Sequence, residues 1–404
     1  MATTTTTTET NTATATATTT ATLSADQAQL YDRGIRLWGM DAQQRLGAST
    51  VLVLGMSEAG AEVCKNVVLA GIARLVVAFA AAEDPVAATR SNMFVRPDDA
   101  AEPSHAARCE RVLERVRALN RYVRVEALHV PDWSSPALAA ALPAPALAQY
   151  DYVCVCSNTV PVAAAVALDA RCRAAGPSFL DLRLFGTRAL LYCDMPLYDP
   201  STASAAASAA AAADDGSSSV VRAPKRVRPE HRCTLPRGPS YADVLGLSAA
   251  DYAALRVPPV LHAVRHLHAG TDAGAGAEEA EEAELLATYR GPHAEAAYVC
   301  AVVGGVASQE VVKELMRDHE PPAGTEGDAA VPGALSTDAQ RRRQQARHQR
   351  QNATGRPLCN VLCYDAVEGT GDVFYVAHSE AERVAAAAAA ASAAAAAADA
   401  TEIL

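Results

Sequence analysis

The chain has 404 residues and a formal net charge of −11, a balance that speaks against generic nucleic-acid binding by the whole protein. Half of it is hydrophobic but only 5% is aromatic, because alanine runs swell the first figure and leave less core material than the length suggests. Its 10 cysteines lie scattered in apolar stretches with no C-x-x-C pair, which suits reduced thiols in the cytosol or nucleus and gives no expectation of a metal site.

Residues 1–22, almost all threonine and alanine, lack the basic start and leucine-rich centre of a signal peptide and read as a disordered tail. Residues 23–198 read as the first part of an α/β domain. Leu23 to Gly47 is expected to be helical, with Ser24 or Asp26 as N-cap and Leu30, Ile35, Leu37, Trp38 and Leu46 as apolar anchors. Composition alone places Arg33, Arg36 and Arg45 on a solvated helix face. Thr50 to Leu54 (TVLVL) has the pattern of a strand buried on both faces, Gly55 to Gly60 turns the chain, Ala61 to Ala70 has helical spacing, and Gly71 stops it.

This is how a nucleotide-binding βαβ unit begins, yet the turn is a degenerate fingerprint. Gly55 and Gly60 hold the outer positions of G-x-G-x-x-G, while Ser57 replaces the middle glycine that lets backbone approach phosphate. The next apolar run, Arg74 to Ala80, ends in Phe79 and Ala80 where an acidic residue would take a ribose hydroxyl; Glu83 and Asp84 come late as substitutes. The fold signal is therefore strong and the case for ATP held by this loop weak.

Beyond a loop carrying Arg90, Ser91, Asn92 and Phe94, an amphipathic helix is expected over His105 to Asn120. A strand follows at 121–130, short helix and loop at 131–149, a strand at 150–156, a helix at 161–175, and two strands at 179–184 and 187–195 around Gly186. Strands alternating with helices predict a doubly wound, mostly parallel Rossmann-like sheet. Cys154 and Cys156, inside an apolar run, read as small buried hydrophobes. Residues 199–290 break the pattern and read as an insertion: a Ser/Ala linker, the basic cluster Lys225 to Arg228, Cys233 among basic residues, and His262, His266 and His268, read as a helix surface. Residues 291–318 return to the domain with a long helix, Ala297 to Leu315, whose Gln309, Glu310 and Lys313 are expected on its outer face. Residues 319–356 form a polar insertion containing the basic run 341–350, residues 357–378 a closing β-hairpin, and residues 379–404 an Ala-rich tail too weakly apolar to span a membrane.

Two stretches carry a resemblance. YDRGIRLWG (31–39), followed by the Gly55 turn and KNVVLAGI, resembles the N-terminus of the ubiquitin-like activating enzymes, which share the ThiF/MoeB-type adenylation fold. More narrowly, that stretch resembles the smaller, regulatory subunits of SUMO-activating enzymes, and AYVCAVVGGVASQEVVKEL (297–315) resembles the family's V-C-A-V-V-G-G helix. The resemblance covers about residues 26–196 and 295–377.

It implies a half-enzyme. Two related adenylation-type domains pair in this family and only one holds the working ATP site. Arg33, the first arginine of Y-D-R-x-I-R, would reach the partner's ATP phosphates, with Arg36 structural; Gly34 stands where the family usually has glutamine. Ser91, Asn92 and Phe94 echo the adenylating S-N-L-N-R-Q-F stretch without its Arg-Gln pair, which implies a non-adenylating subunit. ATP and Mg would be bound mainly by the partner. The thioester cysteine would belong to that larger catalytic subunit, so Cys233 is discounted as a nucleophile. SUMO would be the modifier, the conjugating enzyme an indirect partner, and the nucleus, besides the cytoplasm, the compartment. Rival readings are the regulatory subunit of the cullin-modifier (Nedd-type) activating enzyme, a stand-alone MoeB/ThiF-like adenylating or sulfur-transfer enzyme, and a non-catalytic Rossmann-like scaffold.

Overall fold

A computed structural model describes residues 23–81, 83, 92–196, 237, 239–247, 258–270, 280–291, 294–316 and 361–374. Both compositionally biased ends, Asp84, Arg90, Ser91, the cluster 225–228, Cys233 and the run 341–350 lie outside the described residues.

An eight-stranded sheet has the order β3-β2-β1-β4-β5-β6-β7-β8. Its strands are β1 (Thr50–Leu54), β2 (Arg74–Ala80), β3 (Arg124–Val130), β4 (Tyr152–Val155), β5 (Ser178–Phe185), β6 (Arg188–Asp194), β7 (Val361–Asp365) and β8 (Thr370–Phe374). The four pairings from β3 to β5 are parallel and the three from β5 to β8 antiparallel, so the expected doubly wound sheet is present and continues into an antiparallel wing. The closing hairpin β7–β8 turns at Gly369, whose φ of 68° suits glycine.

Alternation along each strand divides the core. Val51 and Val53 of β1 face one apolar cluster and Leu52 and Leu54 the other. The first face is covered by helices α4 (Glu58–Ala70), α5 (His105–Arg117) and α12 (Ala297–Met316). The second is covered by α6 (Ser135–Ala141), α7 (Ala144–Leu147), α8 (Val162–Ala175), α9 (Tyr241–Leu245), α10 (Pro259–Ala269) and α11 (Ala280–Arg290). Residues 199–290 were expected as an insertion, but Tyr241, Val244, Leu261, Val264 and Leu286 are fully or almost fully buried in this second core. On α10, His266 meets Glu282 at 2.8 Å.

The expected single helix over Leu23 to Gly47 is three: α1 (Ala25–Leu30), α2 (Asp32–Trp38) and α3 (Met40–Leu46). Ser24 is the N-cap of α1 in a capping box with Gln27. The second break falls at Gly39, whose φ of 91° no helix accommodates. On α12, Glu310 is buried and paired with Lys313 at 2.6 Å, against the outer position expected for it; the helix is flanked by α3, α4 and β6, which leaves it a narrower solvent face. No helix among the described residues is long and apolar enough to cross a membrane.

Candidate functional site

The Gly55 turn lies where the strand order reverses, between β1 and β4, the crevice in which open α/β sheets place ligands. Here the turn packs tightly against the chain's own residues. Gly55 has φ of 85° and packs so closely on Ser157 that a Cβ would strike that side chain. A Cβ on Gly60 would strike the Gly55 carbonyl oxygen, so both outer glycines serve the tightness of the turn. Ser57 caps α4: its Oγ accepts from Gly60 N–H at 3.1 Å and donates to the Cys156 carbonyl. The helix thus begins at Glu58, three residues before its expected start.

The first amide of α4 is already engaged. Glu58 N–H donates to Glu295 Oε2 at 2.9 Å, so a carboxylate brought from 237 residues away stands at the positive end of the helix. Glu58's own side chain is buried, and acid oxygens of Glu58 and Glu295 lie within 4.8 Å of each other. Burial pushes the Glu295 carboxyl up to about 7; the Glu58 amide works against the rise and the Glu58 carboxylate adds to it. Asn92 closes the side of the turn, donating to the Met56 carbonyl at 2.9 Å while accepting from Phe94 N–H. Phe79 is buried at the end of β2. Glu83, considered as a late ribose ligand, instead accepts from Trp133 Nε1 at 2.6 Å.

The N-terminal motif is held at both ends. Tyr31 lies against Gly71, where a Cβ would collide with its ring, and its Oη accepts from Asn120 Nδ2 at 2.9 Å. Trp38 packs over Gly34, whose missing side chain makes that space, and donates to Gln43 Oε1 at 3.1 Å. Between these anchors Arg33 is exposed, without a side-chain partner among the described residues. Arg36 pairs with Asp32 at 2.9 Å on the surface, and Arg45 Nε donates to the Met316 carbonyl at 2.7 Å, fastening α3 to the end of α12.

Two constellations, on β5 and at the β3 edge, were not singled out from sequence. Asp181 and Arg183, both 0% exposed, form a forked pair on β5, with Nε donating to Oδ2 at 2.9 Å; Tyr241 donates to Asp181 at 2.7 Å. Two opposite charges at i and i+2 in an otherwise apolar strand were the available signal. His105, Cys109 and His129 converge at the β3 edge of the sheet. On the open side of α12, Tyr298 and Val302 stand 59% and 44% exposed. Gly305, one turn on from Ala301, has nothing of this chain within 4 Å of where a Cβ would be, whereas Gly304 packs on Glu62 of α4. The cysteines among the described residues are all buried, and burial raises the thiols of Cys64, Cys154, Cys156, Cys172, Cys193 and Cys300.

A family model described as the ThiF family matches residues 31–360, well over half of the chain. The chain belongs to the ThiF family. This ThiF-family protein is 42% identical over 114 residues to SUMO-activating enzyme subunit 1 of Danio rerio, an alignment covering 28% of this chain and 31% of that protein. It is 54% identical over 50 residues to SUMO-activating enzyme subunit 1 of Homo sapiens, covering 12% and 14% respectively. The matched stretches thus span less than a third of the length of these relatives. Among solved structures, the microcin C7 biosynthetic enzyme MccB in complex with N-formylated MccA is similar, with a TM-score of 0.50 at 13% identity over 88% of this chain and 74% of that one. That likeness shows the ThiF/MoeB-type adenylation fold alone.

Proposed function

We propose that this ThiF-family chain is the regulatory, non-cysteine-bearing subunit of a heterodimeric SUMO-activating enzyme. The observation that carries the reading is the Glu295 carboxylate on the first amide of α4. A triphosphate brought to this turn meets two acid side chains, Glu295 and the buried Glu58, the former already holding the leading amide of the helix, in place of an open amide and a cation. The turn does not fit a nucleotide. ATP and its Mg²⁺ are therefore assigned to the larger subunit, together with the thioester cysteine, for which the buried, raised thiols described here are poor candidates.

What this chain offers the pair is Arg33, exposed on a helix anchored by Tyr31 and Trp38. A guanidinium held so, reaching across to the partner's ATP, neutralises phosphate charge as the modifier's C-terminal carboxylate is adenylated and pyrophosphate leaves. The exposed Tyr298, Val302 and bare Gly305 of α12 supply an apolar face for close docking. A nuclear site of action accords with the basic cluster 225–228.

The test is Arg33→Ala in the reconstituted heterodimer. Losing one transition-state cation should slow modifier-dependent ATP–pyrophosphate exchange by on the order of 10²–10³-fold, with subunit affinity unchanged. Unaltered exchange would remove Arg33 from the site. Exchange supported by the cullin modifier but not by SUMO would transfer the reading to the Nedd-type enzyme.

A further inference from the structure

We propose that His105, Cys109 and His129 form a binding site for a divalent transition-metal ion of the zinc kind. His105 and Cys109 lie one turn apart at the start of α5, a spacing that puts both side chains on one helix face. His129 comes from β3, the edge strand of the sheet, in register with Phe79 of β2. The three side chains each present a ligand atom within 4.8 Å of the other two.

The sulfur–nitrogen separation is that of a tetrahedral site once the His105 ring turns one nitrogen towards an ion shared with the sulfur. Cys109 Sγ is 3.7 Å from Nδ1 and 3.8 Å from Nε2 of His105. A zinc ion with Zn–S of about 2.3 Å and Zn–N of about 2.0–2.1 Å sets its sulfur and nitrogen roughly 3.6 Å apart. The His129 ring meets that of His105 edge-on at 5.9 Å between centroids and lies over Phe79 at 6.2 Å, so ring rotation brings its nitrogen inward. One thiolate and two imidazoles form a donor set that favours zinc, cobalt or copper over magnesium or calcium.

Access follows from burial. Cys109 is 0% exposed at the floor, His105 half-buried and His129 exposed at the rim, which gives the ion an entry path and leaves the fourth position to water. On binding, the Cys109 thiol gives its proton to solvent and the sulfur becomes the anionic ligand. The positive end of α5 opposes a cation, but by far less than three ligand bonds supply. The ion would fasten edge strand β3, which pairs only with β2 among the described residues, to the first turn of α5.

The experiment is cobalt titration of the untagged full-length chain after chelator treatment and reduction, followed by zinc displacement. Expected are one equivalent of Co²⁺, the visible bands of a tetrahedral ion and a thiolate-to-cobalt charge-transfer band, all abolished by Zn²⁺. Cys109→Ser should remove the charge-transfer band. His129→Ala, a change at an exposed position, should weaken binding by about 100-fold or more, at least the loss seen when supporting groups around a metal are removed, and leave the metal-free melting temperature unchanged. Zinc should raise the melting temperature of the wild-type chain but not of His129→Ala. Absence of a stoichiometric charge-transfer band, or an equal band and affinity in His129→Ala, overturns the site. Should Cys109→Ser fail to fold, the His129→Ala comparison decides alone.

Discussion

Replacing Glu295 by Gln tests the closure of the turn quantitatively. The carboxyl rises from its ordinary 4.5 to about 7 because it is buried, with the Glu58 carboxylate adding to the effect. The folded protein therefore binds a proton more readily here than the unfolded chain. Between pH 4.5 and 7 the native state holds the extra proton, and stability falls as pH rises through that window. The interval is worth roughly 1.36 kcal/mol per unit, so the group costs about 3 kcal/mol once pH exceeds 7 and nothing below pH 4.5. Glutamine keeps an oxygen to accept from Glu58 N–H but does not titrate. Urea unfolding of the full-length pair of proteins at pH 5, 6, 7 and 8 should show the variant gaining on the wild type as pH rises. The gain should approach about 3 kcal/mol, or on the order of 5–10 °C in melting temperature for a domain of this size. Parallel pH profiles would refute the argument, and a variant that loses ground at high pH would mean that the anionic carboxylate is favoured by its site.

Two further outcomes follow from packing. Asp181→Asn leaves Arg183 charged and fully buried without its counter-ion, and should destabilise the chain by about 3–5 kcal/mol in denaturant titrations; a loss below 1 kcal/mol would show that its other acceptors, Tyr289 Oη and the Ser157 and Val160 carbonyls, suffice. Tyr298→Asp on the exposed face of α12 should leave the melting temperature of the isolated chain within about 2 °C, a surface substitution being worth roughly ±0.5 kcal/mol. The same change should weaken capture of the cysteine-bearing subunit by at least about 30-fold, the loss of one aromatic anchor worth about 2 kcal/mol. Unchanged capture would move the docking face elsewhere.

What the sequence disclosed was local. The strand Thr50 to Leu54, the tight Gly55 turn and the Gly71 stop each depend on a few neighbouring residues, and all stand where expected. The break at Gly39 was missed because helix-forming residues (Met40, Ala42, Gln43, Gln44, Arg45, Leu46) resume straight after it, and only its positive φ ends the helix. The helices between Tyr241 and Arg290 lie in a stretch that reads as an insertion, and only the fold shows that their leucines and valines complete the second face of the sheet. The site was the least legible part. Ser57 in place of glycine signalled a poor phosphate cradle, but Glu295 reaches the helix end from 237 residues away, and no pattern near either residue announces the pairing. His105 and Cys109 show a helical spacing, yet His129 joins them only because β3 lies at the sheet edge beside α5.

The most direct measurement is ATP–pyrophosphate exchange by the purified chain, with SUMO, in the absence and presence of a cysteine-bearing SUMO-activating subunit. The account predicts no exchange by the chain alone and SUMO-dependent exchange once the subunits pair. Exchange by the chain alone would contradict it, because the Glu295-closed turn would then be a working ATP site.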